Sequence, residues 1–305
     1  MTPTRTESLP IARTNKKKWN WKPHAFAYAL LLPSLVFLVL FTIYPTVKAV
    51  HGSFYSSSFG ASQFVGLDLY KQVFEDRVFL QVLKNNLLLA VGTVPASILL
   101  ALYMAVWVNG KLKGLGLLRA AFFYPTILPM IAIANIWLFI YTPSYGLLDK
   151  FLGVFGIASP NWLGDPQWVM PAMILMVIWK EAGFFMIFYL AGLQNLPKDI
   201  YEAAMLDGSR PWHTFRRLTL PLLMPTTMFV LVIALTNSFK LVDHLYIMTK
   251  GGPNNASNVL LYHIYETAFS FWDMGKASVL TVIMLVILLV IAIINYAVLD
   301  KRIHY

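Results

Sequence analysis

Long apolar runs organise this chain. Near 25–44, 87–108, 118–141, 168–191, 222–243 and 277–299 lie about six stretches that carry few charges. A helix rising about 1.5 Å per residue needs roughly 20 apolar residues to cross a hydrocarbon core of about 30 Å. Each run must be helical, because backbone groups in lipid need partners within the segment. The pattern predicts an all-α transmembrane protein of about six spans. The first run is longer than the apolar core of a signal peptide, and no small-residue cleavage site follows it before Tyr44 and Pro45, so it reads as a retained span. Between the first two runs, residues 48–86 include amphipathic stretches such as 70–83, which predict short helices lying at the membrane surface. No period of roughly 20 to 50 residues repeats, which excludes solenoids.

Composition agrees. Hydrophobic residues make up 58% of the chain, charged residues 12%, and the mean hydropathy is +0.63, too little polar surface for a water-soluble protein of this length. The net charge of +10 would fit nucleic acid only if it formed a basic face on a soluble domain, and here Lys and Arg fall between apolar runs. Arg5, Arg13, Lys16, Lys17, Lys18 and Lys22 precede the first run, and Lys111, Lys113 and Arg119 separate the second from the third. Lys198, Arg210, Arg216 and Arg217 follow the fourth, and Lys301 and Arg302 follow the sixth. The opposite loops hold fewer basic residues, so the positive-inside rule places both termini in the cytoplasm. The expected division is a basic cytoplasmic tail at 1–24, a membrane domain at 25–299 and a cytoplasmic end at 300–305. There is no cysteine, so disulfides, thiolate metal sites and cysteine nucleophiles are excluded.

The stretch 193–225 breaks the pattern, since it is polar, punctuated and internally ordered. Pro197 suits a helix start, Asp199 and Glu202 put negative charge near the N-terminus, and Ala203, Ala204, Met205 and Leu206 favour helix. Gly208 supplies a left-handed stop, Ser209 is the expected cap of a second helix with Pro211 in its first turn, and Pro221 is expected to open the next span. Asp207 falls at a helix C-terminus, where the dipole disfavours an anion, so Arg210 or Arg216 is expected as its partner. Glu202 is placed well for its own helix, which is a sufficient reason for it to be there.

Glu202-Ala203-Ala204, three residues, Gly208, nine residues, then Leu218, Thr219, Leu220 and Pro221 resemble the EAA loop of binding-protein-dependent ABC importer permeases, with Leu218 where that family usually has Ile. Pro33, Tyr44-Pro45, Arg119 with Phe122-Phe123-Tyr124-Pro125, and Leu190-Ala191-Gly192-Leu193-Gln194 extend the likeness. Gly251-Gly252-Pro253 with Tyr262, Tyr265 and Ala268-Phe269 resembles the outer loop of the sugar-uptake branch that includes maltose and glycerol-phosphate permeases. The resemblance implies that the loop 193–221 docks on a cytoplasmic ATPase. Glu202, Ala203, Ala204, Asp207, Gly208, Arg210, Phe215, Arg216, Leu220 and Pro221 would carry that coupling. It also implies a second permease subunit, two ATP-binding cassette subunits that bind the ATP and Mg, an extracytoplasmic solute-binding protein, a sugar cargo and a place in the bacterial inner membrane.

Within the spans, a charge costs roughly 2.5–3.5 kcal/mol to insert, so Lys180 and Glu181 need a reason. One is that they line a polar path; the other is that they tie helices together. Asn135, Asn237 and Lys240 are similar candidates, and Lys240 and Asp243, three apart, are placed to pair. Tyr124, Trp137, Tyr141 and Trp179 offer flat faces for a sugar, although Trp and Tyr also gather at membrane interfaces. Neither Asn109-Gly110-Lys111 nor Lys250-Gly251-Gly252 has the spacing that wraps phosphates, so no ATP site is expected in this chain. The histidines are scattered without a metal or triad pattern, and no catalytic residue, metal or cofactor is expected. The alternative transporter, an ion-coupled carrier, would want inverted repeats and broken helices near the midplane, and neither is legible in the sequence. A membrane-embedded enzyme would want clustered acids or histidines.

Overall fold

The computed structural model describes residues 21–58, 61–110 and 114–302; the predicted tail lies largely outside them. The chain divides into two compact units, 1–48 and 49–305. In the first, α1 (Trp21–Leu38) passes through a π turn (Val39–Ile43) into α2 (Tyr44–Gly52), and Phe26–Gly52 is long and apolar enough to span a bilayer. The π turn has a local cause. Pro45 has no N–H and its ring crowds the carbonyl four residues back; the widened turn, in which the Tyr44 N–H donates to the Val39 carbonyl, makes room.

The second unit begins within the last turn of α2 and continues into a hairpin that hydropathy does not foreshadow, β1 (Tyr55–Ser58) against β2 (Ala61–Phe64), antiparallel with Tyr55 opposite Phe64. Of the stretch 70–83, where short surface helices are expected, the first part lies in a short helix and the rest in the start of a long one. α3 (Asp68–Glu75) is amphipathic and buries Leu69 and Val73. It stops at Asp76, whose carboxylate accepts the Val78 N–H at 2.9 Å and so caps α4 (Arg77–Val108). At 32 residues, α4 is about 48 Å long, so its polar N-terminal part extends beyond the hydrocarbon. The Lys276 ammonium reaches the same carboxylate at 2.7 Å. Burial alone would raise the Asp76 carboxyl; the bonds from Lys276 and Val78 outweigh it and hold the group below its ordinary value.

The third span departs most from expectation. α5 (Leu115–Ile127) and α6 (Met130–Tyr141) are bent by 101° rather than continuous. Pro129 removes one N–H and forces Leu128 out of helical geometry, to ψ 138°. A short α7 (Leu147–Val154) follows, then α8 (Val169–Gln194), α9 (Lys198–Leu206), α10 (Pro211–Thr214), a π turn (Phe215–Thr219), α11 (Leu220–Leu222) and α12 (Met224–Lys240). Pro221 therefore does not open a span. It repeats the device at Pro45: the Leu220 N–H donates five residues back to the Phe215 carbonyl, and the helical path runs on into α12. α12 ends at Lys240, Leu241 is extended, and α13 (Asp243–Met248) starts anew. This break removes the helical face that would have paired Lys240 with Asp243. α14 (Leu260–Phe269) and α15 (Met274–Arg302) complete the chain.

α4, α8 and α12 form the centre of the bundle. At the end that carries α9 and α10 they share a core of Ala101, Ala105, Phe185, Met186, Tyr189 and Val230, and Leu89, Met173 and Met176 pack with α6 and α13 at the other. At the N-terminal end of α4 the loop before α14 is bolted to it. Asn85 donates to the Asn255 and Asn258 carbonyls at 2.7 and 2.8 Å, and Asn86 accepts the Leu260 N–H at 2.6 Å.

Candidate functional site

The loop between α8 and α12 is a locked helical hairpin. α9 ends in a Schellman arrangement: Ser209 N–H donates to the Ala204 carbonyl at 2.9 Å, Gly208 N–H to the Met205 carbonyl at 3.1 Å, and Gly208 sits at φ +69°. Tyr201 and Thr219 hydroxyls meet at 2.9 Å across the two arms, and Ala204 is buried between them. The cap of α10 differs from expectation. Arg210 occupies it with Pro211 next, while the Ser209 hydroxyl accepts from Thr214 at 3.0 Å. Asp207 also lacks its expected partner, since the Asp76–Lys276 bridge is the only ion pair among the described residues. Glu202, Ala203, Asp207, Arg210 and Arg216 are exposed, Phe215, Leu220 and Pro221 stand where the second arm enters the bundle, and Leu206 is 90% exposed beside Met205 at 69%. The hairpin thus turns apolar side chains outward at its tip.

Beneath it lies a cavity of about 620 Å³, lined among others by Arg119, Gln194, Lys198, Tyr201, Glu202 and Phe215. Arg119 forms part of its roof. Its guanidinium donates to the Val108 carbonyl at 2.7 and 3.1 Å and so caps the C-terminus of α4.

The charges within the spans tie helices together in two directions. Adjacent α8 positions point about 100° apart. Lys180 turns to the broken limb and donates to the Leu128 carbonyl at 3.2 Å. That oxygen has lost its usual helical donor, because the Ala132 and Ile133 N–H groups both bond to the Pro129 carbonyl. Glu181 turns to α12 and accepts from Asn237 at 3.2 Å. Thr93, Ser97 and Ser238 line the same narrow cleft as Glu181 and Asn237; the spacing of Thr93 and Ser97, one helical turn apart, was the available signal for them. Asn135 and Lys240 do not join this cluster. Asn135 donates to its own helix, at the Ile131 carbonyl, and Lys240 is exposed at the end of α12. The sequence also gives no notice of His244, buried with both ring nitrogens unpartnered.

Of the aromatic candidates, Trp137 stacks edge-on to Trp179 at 5.7 Å, and the Tyr141 hydroxyl is committed to the Ala172 carbonyl at 2.7 Å. Tyr124 stands apart and exposed. A second aromatic group, Tyr246, Tyr262, Tyr265 and Phe269, assembles from α13 and α14.

Residues 97–305 match the family described as the binding-protein-dependent transport system inner membrane component. The chain belongs to this family. As such it is a permease subunit of an ABC importer, a multi-spanning membrane protein and not itself an enzyme. The permease is 32% identical over 284 residues to the sn-glycerol-3-phosphate transport permease of Agrobacterium fabrum, covering 91% of this chain and 96% of that one. It is also 32% identical over 268 residues to the trehalose/maltose transport permease of Thermococcus litoralis, covering 86% and 88%. A solved bacterial ABC transporter involved in the import of the acidic polysaccharide alginate has a chain of the same fold, with a TM-score of 0.81 at 25% identity over 93% of the permease and 98% of that chain. The break between α5 and α6 is thus a feature of this permease, and does not mark an ion-coupled carrier.

Replacing Lys180 with Met removes the only side-chain donor found for the Leu128 carbonyl among the described residues. The expected result is a loss of about 1–3 kcal/mol of stability, read as a lower unfolding midpoint in detergent, with Lys180→Arg retaining most of it. Unchanged melting of the Met variant would show that the bond does not hold the break.

Proposed function

We propose that this permease forms half of a path for a sugar or sugar derivative, and that its inward hairpin is the handle by which ATPase subunits move it. The cargo reading is supported by the relatives, whose names specify trehalose/maltose and sn-glycerol-3-phosphate transport, and by the alginate importer. A second permease subunit would supply the other half of the path, two ATP-binding cassette subunits the ATP and Mg chemistry, and an extracytoplasmic binding protein the cargo. Both termini face the cytoplasm in this reading, in accord with the placement of Lys and Arg.

The observation that carries the proposal is the near-continuous helical path from the hairpin into α12. A displacement of α10 is passed along α11 to α12, and α12 carries Asn237, whose amide holds Glu181 of α8. The ATPase cycle can thus make and break a polar contact inside the bundle, which is a two-position element of the kind coupling requires. In this account Lys180, Glu181 and Asn237 border the path. Lys240 stands at its outer mouth, and Asn135 contributes only if it exchanges its backbone bond for cargo.

The test is reconstitution of the permease with its partners in vesicles. ATP-dependent uptake of a labelled sugar should require the binding protein, and deletion of residues 199–217 should abolish copurification of the ATPase. An ATPase that still copurifies with the deleted protein, or uptake by the chain alone on an ion gradient, would overturn the proposal.

A further inference from the structure

A groove of about 470 Å³ runs between α4 and the second arm of the hairpin. One wall is the α4 stripe Leu99, Leu102, Tyr103 and Val106, spaced as one helical face, and the other is Pro211, Trp212 and Phe215. Trp212 and Phe215 stack with ring centroids 5.8 Å apart, and Leu99, Tyr103 and Trp212 are each about two-thirds exposed, at 66%, 67% and 70%. Depth decides what can cover it. Leu99 stands nine residues before Val108, the last residue of α4, a rise of about 14 Å, which is nearly half of a hydrocarbon core of about 30 Å. The groove therefore begins at the cytoplasmic interface and ends near the bilayer midplane, and its deeper end at Leu99 lies beyond the reach of a cytoplasmic ATPase subunit.

Charge decides which lipid. The arm from Ser209 to Thr219 contains Arg210, Arg216 and Arg217 and no carboxylate. All three arginines are exposed, and none is in an ion pair among the described residues. Arg216 and Arg217 directly follow Phe215 in sequence and are exposed beside the groove lining. Trp212 and Tyr103 have the amphipathic rings that favour headgroup depth. We infer that this groove holds an acyl chain of an anionic phospholipid of the inner leaflet, with the headgroup phosphate on Arg216 and Arg217. The bilayer would then brace the arm that leads into α12, which gives the hairpin a fixed surface to work against. This inference rests on the inward orientation of the hairpin given above, but not on its docking to an ATPase.

The test uses the assembled importer in nanodiscs of phosphatidylethanolamine and phosphatidylglycerol, with bromine on the acyl chains of one lipid or the other at equal mole fraction. The contribution of Trp212 to fluorescence is the difference between the wild-type assembly and one carrying Trp212→Phe. Its quenching should be about twofold greater with brominated phosphatidylglycerol than with brominated phosphatidylethanolamine, as local attraction of anionic headgroups to arginine predicts. Arg216→Gln with Arg217→Gln should bring the two to equality. Equal quenching in the wild type would show an unselective lipid surface and overturn the inference. No quenching by either lipid would show the groove covered by protein, whether the second permease or another segment, and would overturn it as well. The wild-type comparison stands alone if the double variant fails to assemble, and failure of the inference leaves ATP-dependent uptake unaffected.

Discussion

Gly208→Val is expected to leave the permease in the membrane at wild-type level and to lower ATP-dependent uptake at least about tenfold. The reason is conformational. Gly208 sits at φ +69°, where an L side chain costs about 1–2 kcal/mol and a β-branched one more. A cost of that size opposes the turn that the Ser209 and Gly208 N–H bonds close and raises the share of molecules in which the two arms are out of register. Space is not the issue within this chain, since a Cβ added at Gly208 would meet nothing within 4 Å. The distinction can be measured with three substitutions. Asn tolerates the left-handed region, so Gly208→Asn should keep most of the uptake, Gly208→Ala less and Gly208→Val least. An order that follows side-chain size instead, with Ala best and Asn as poor as Val, would place the constraint on the partner's surface and refute the conformational account.

That hairpin was legible in the sequence because its signals are local. Pro197, Gly208 and Pro211 punctuate it within a few residues of the structure they impose, and the helix stop at Gly208 formed where it was expected. The caps were less legible. Ser209 and Arg210 compete for one position, and proline at the first helical residue places Arg210 there regardless of side-chain preference. The spans were legible because lipid demands length and apolarity, which hydropathy measures directly. Hydropathy has no term for direction, however, and so residues 118–141 read as one rod although Pro129 folds them back through 101°. It also ends the second span at Leu87, whereas α4 begins at Arg77. Gln81, Asn85 and Asn86 look like the end of a membrane helix, because the carbonyls and N–H they serve are about 170 residues away. The polar contacts inside the bundle were half legible: the cost of burying Lys180 and Glu181 announced that partners exist, but not which, since a backbone carbonyl freed by a proline leaves no mark in the side-chain pattern.

Gly183→Ala is expected to have the largest effect on folding of any glycine-to-alanine change among the described residues. A Cβ there would lie 2.1 Å from the carbonyl oxygen of Phe122, so α5 and α8 approach backbone to backbone, as small residues in membrane helices permit. No side chain can rotate to relieve the contact. α5 would have to withdraw by about an ångström, which in a close-packed interior costs about 1–3 kcal/mol or more. Lys180 and Gly183 are three apart on one face of α8, so the same withdrawal lengthens the 3.2 Å bond from Lys180 to Leu128 and loosens the break that α8 holds. Gly92 supplies the control. Its added Cβ would meet only the Ile174 side chain, at 2.7 Å, a flexible end that can turn aside or be shortened. Gly92→Ala should therefore be tolerated, or restored by Ile174→Val, while no side-chain replacement at Phe122 restores Gly183→Ala. The measurement is the monodisperse fraction and unfolding midpoint of the assembled importer in detergent. A Gly183→Ala protein that assembles and melts as the wild type does would mean that α5 is not held against α8 at this point, and the brace on the bent limb would have to lie elsewhere.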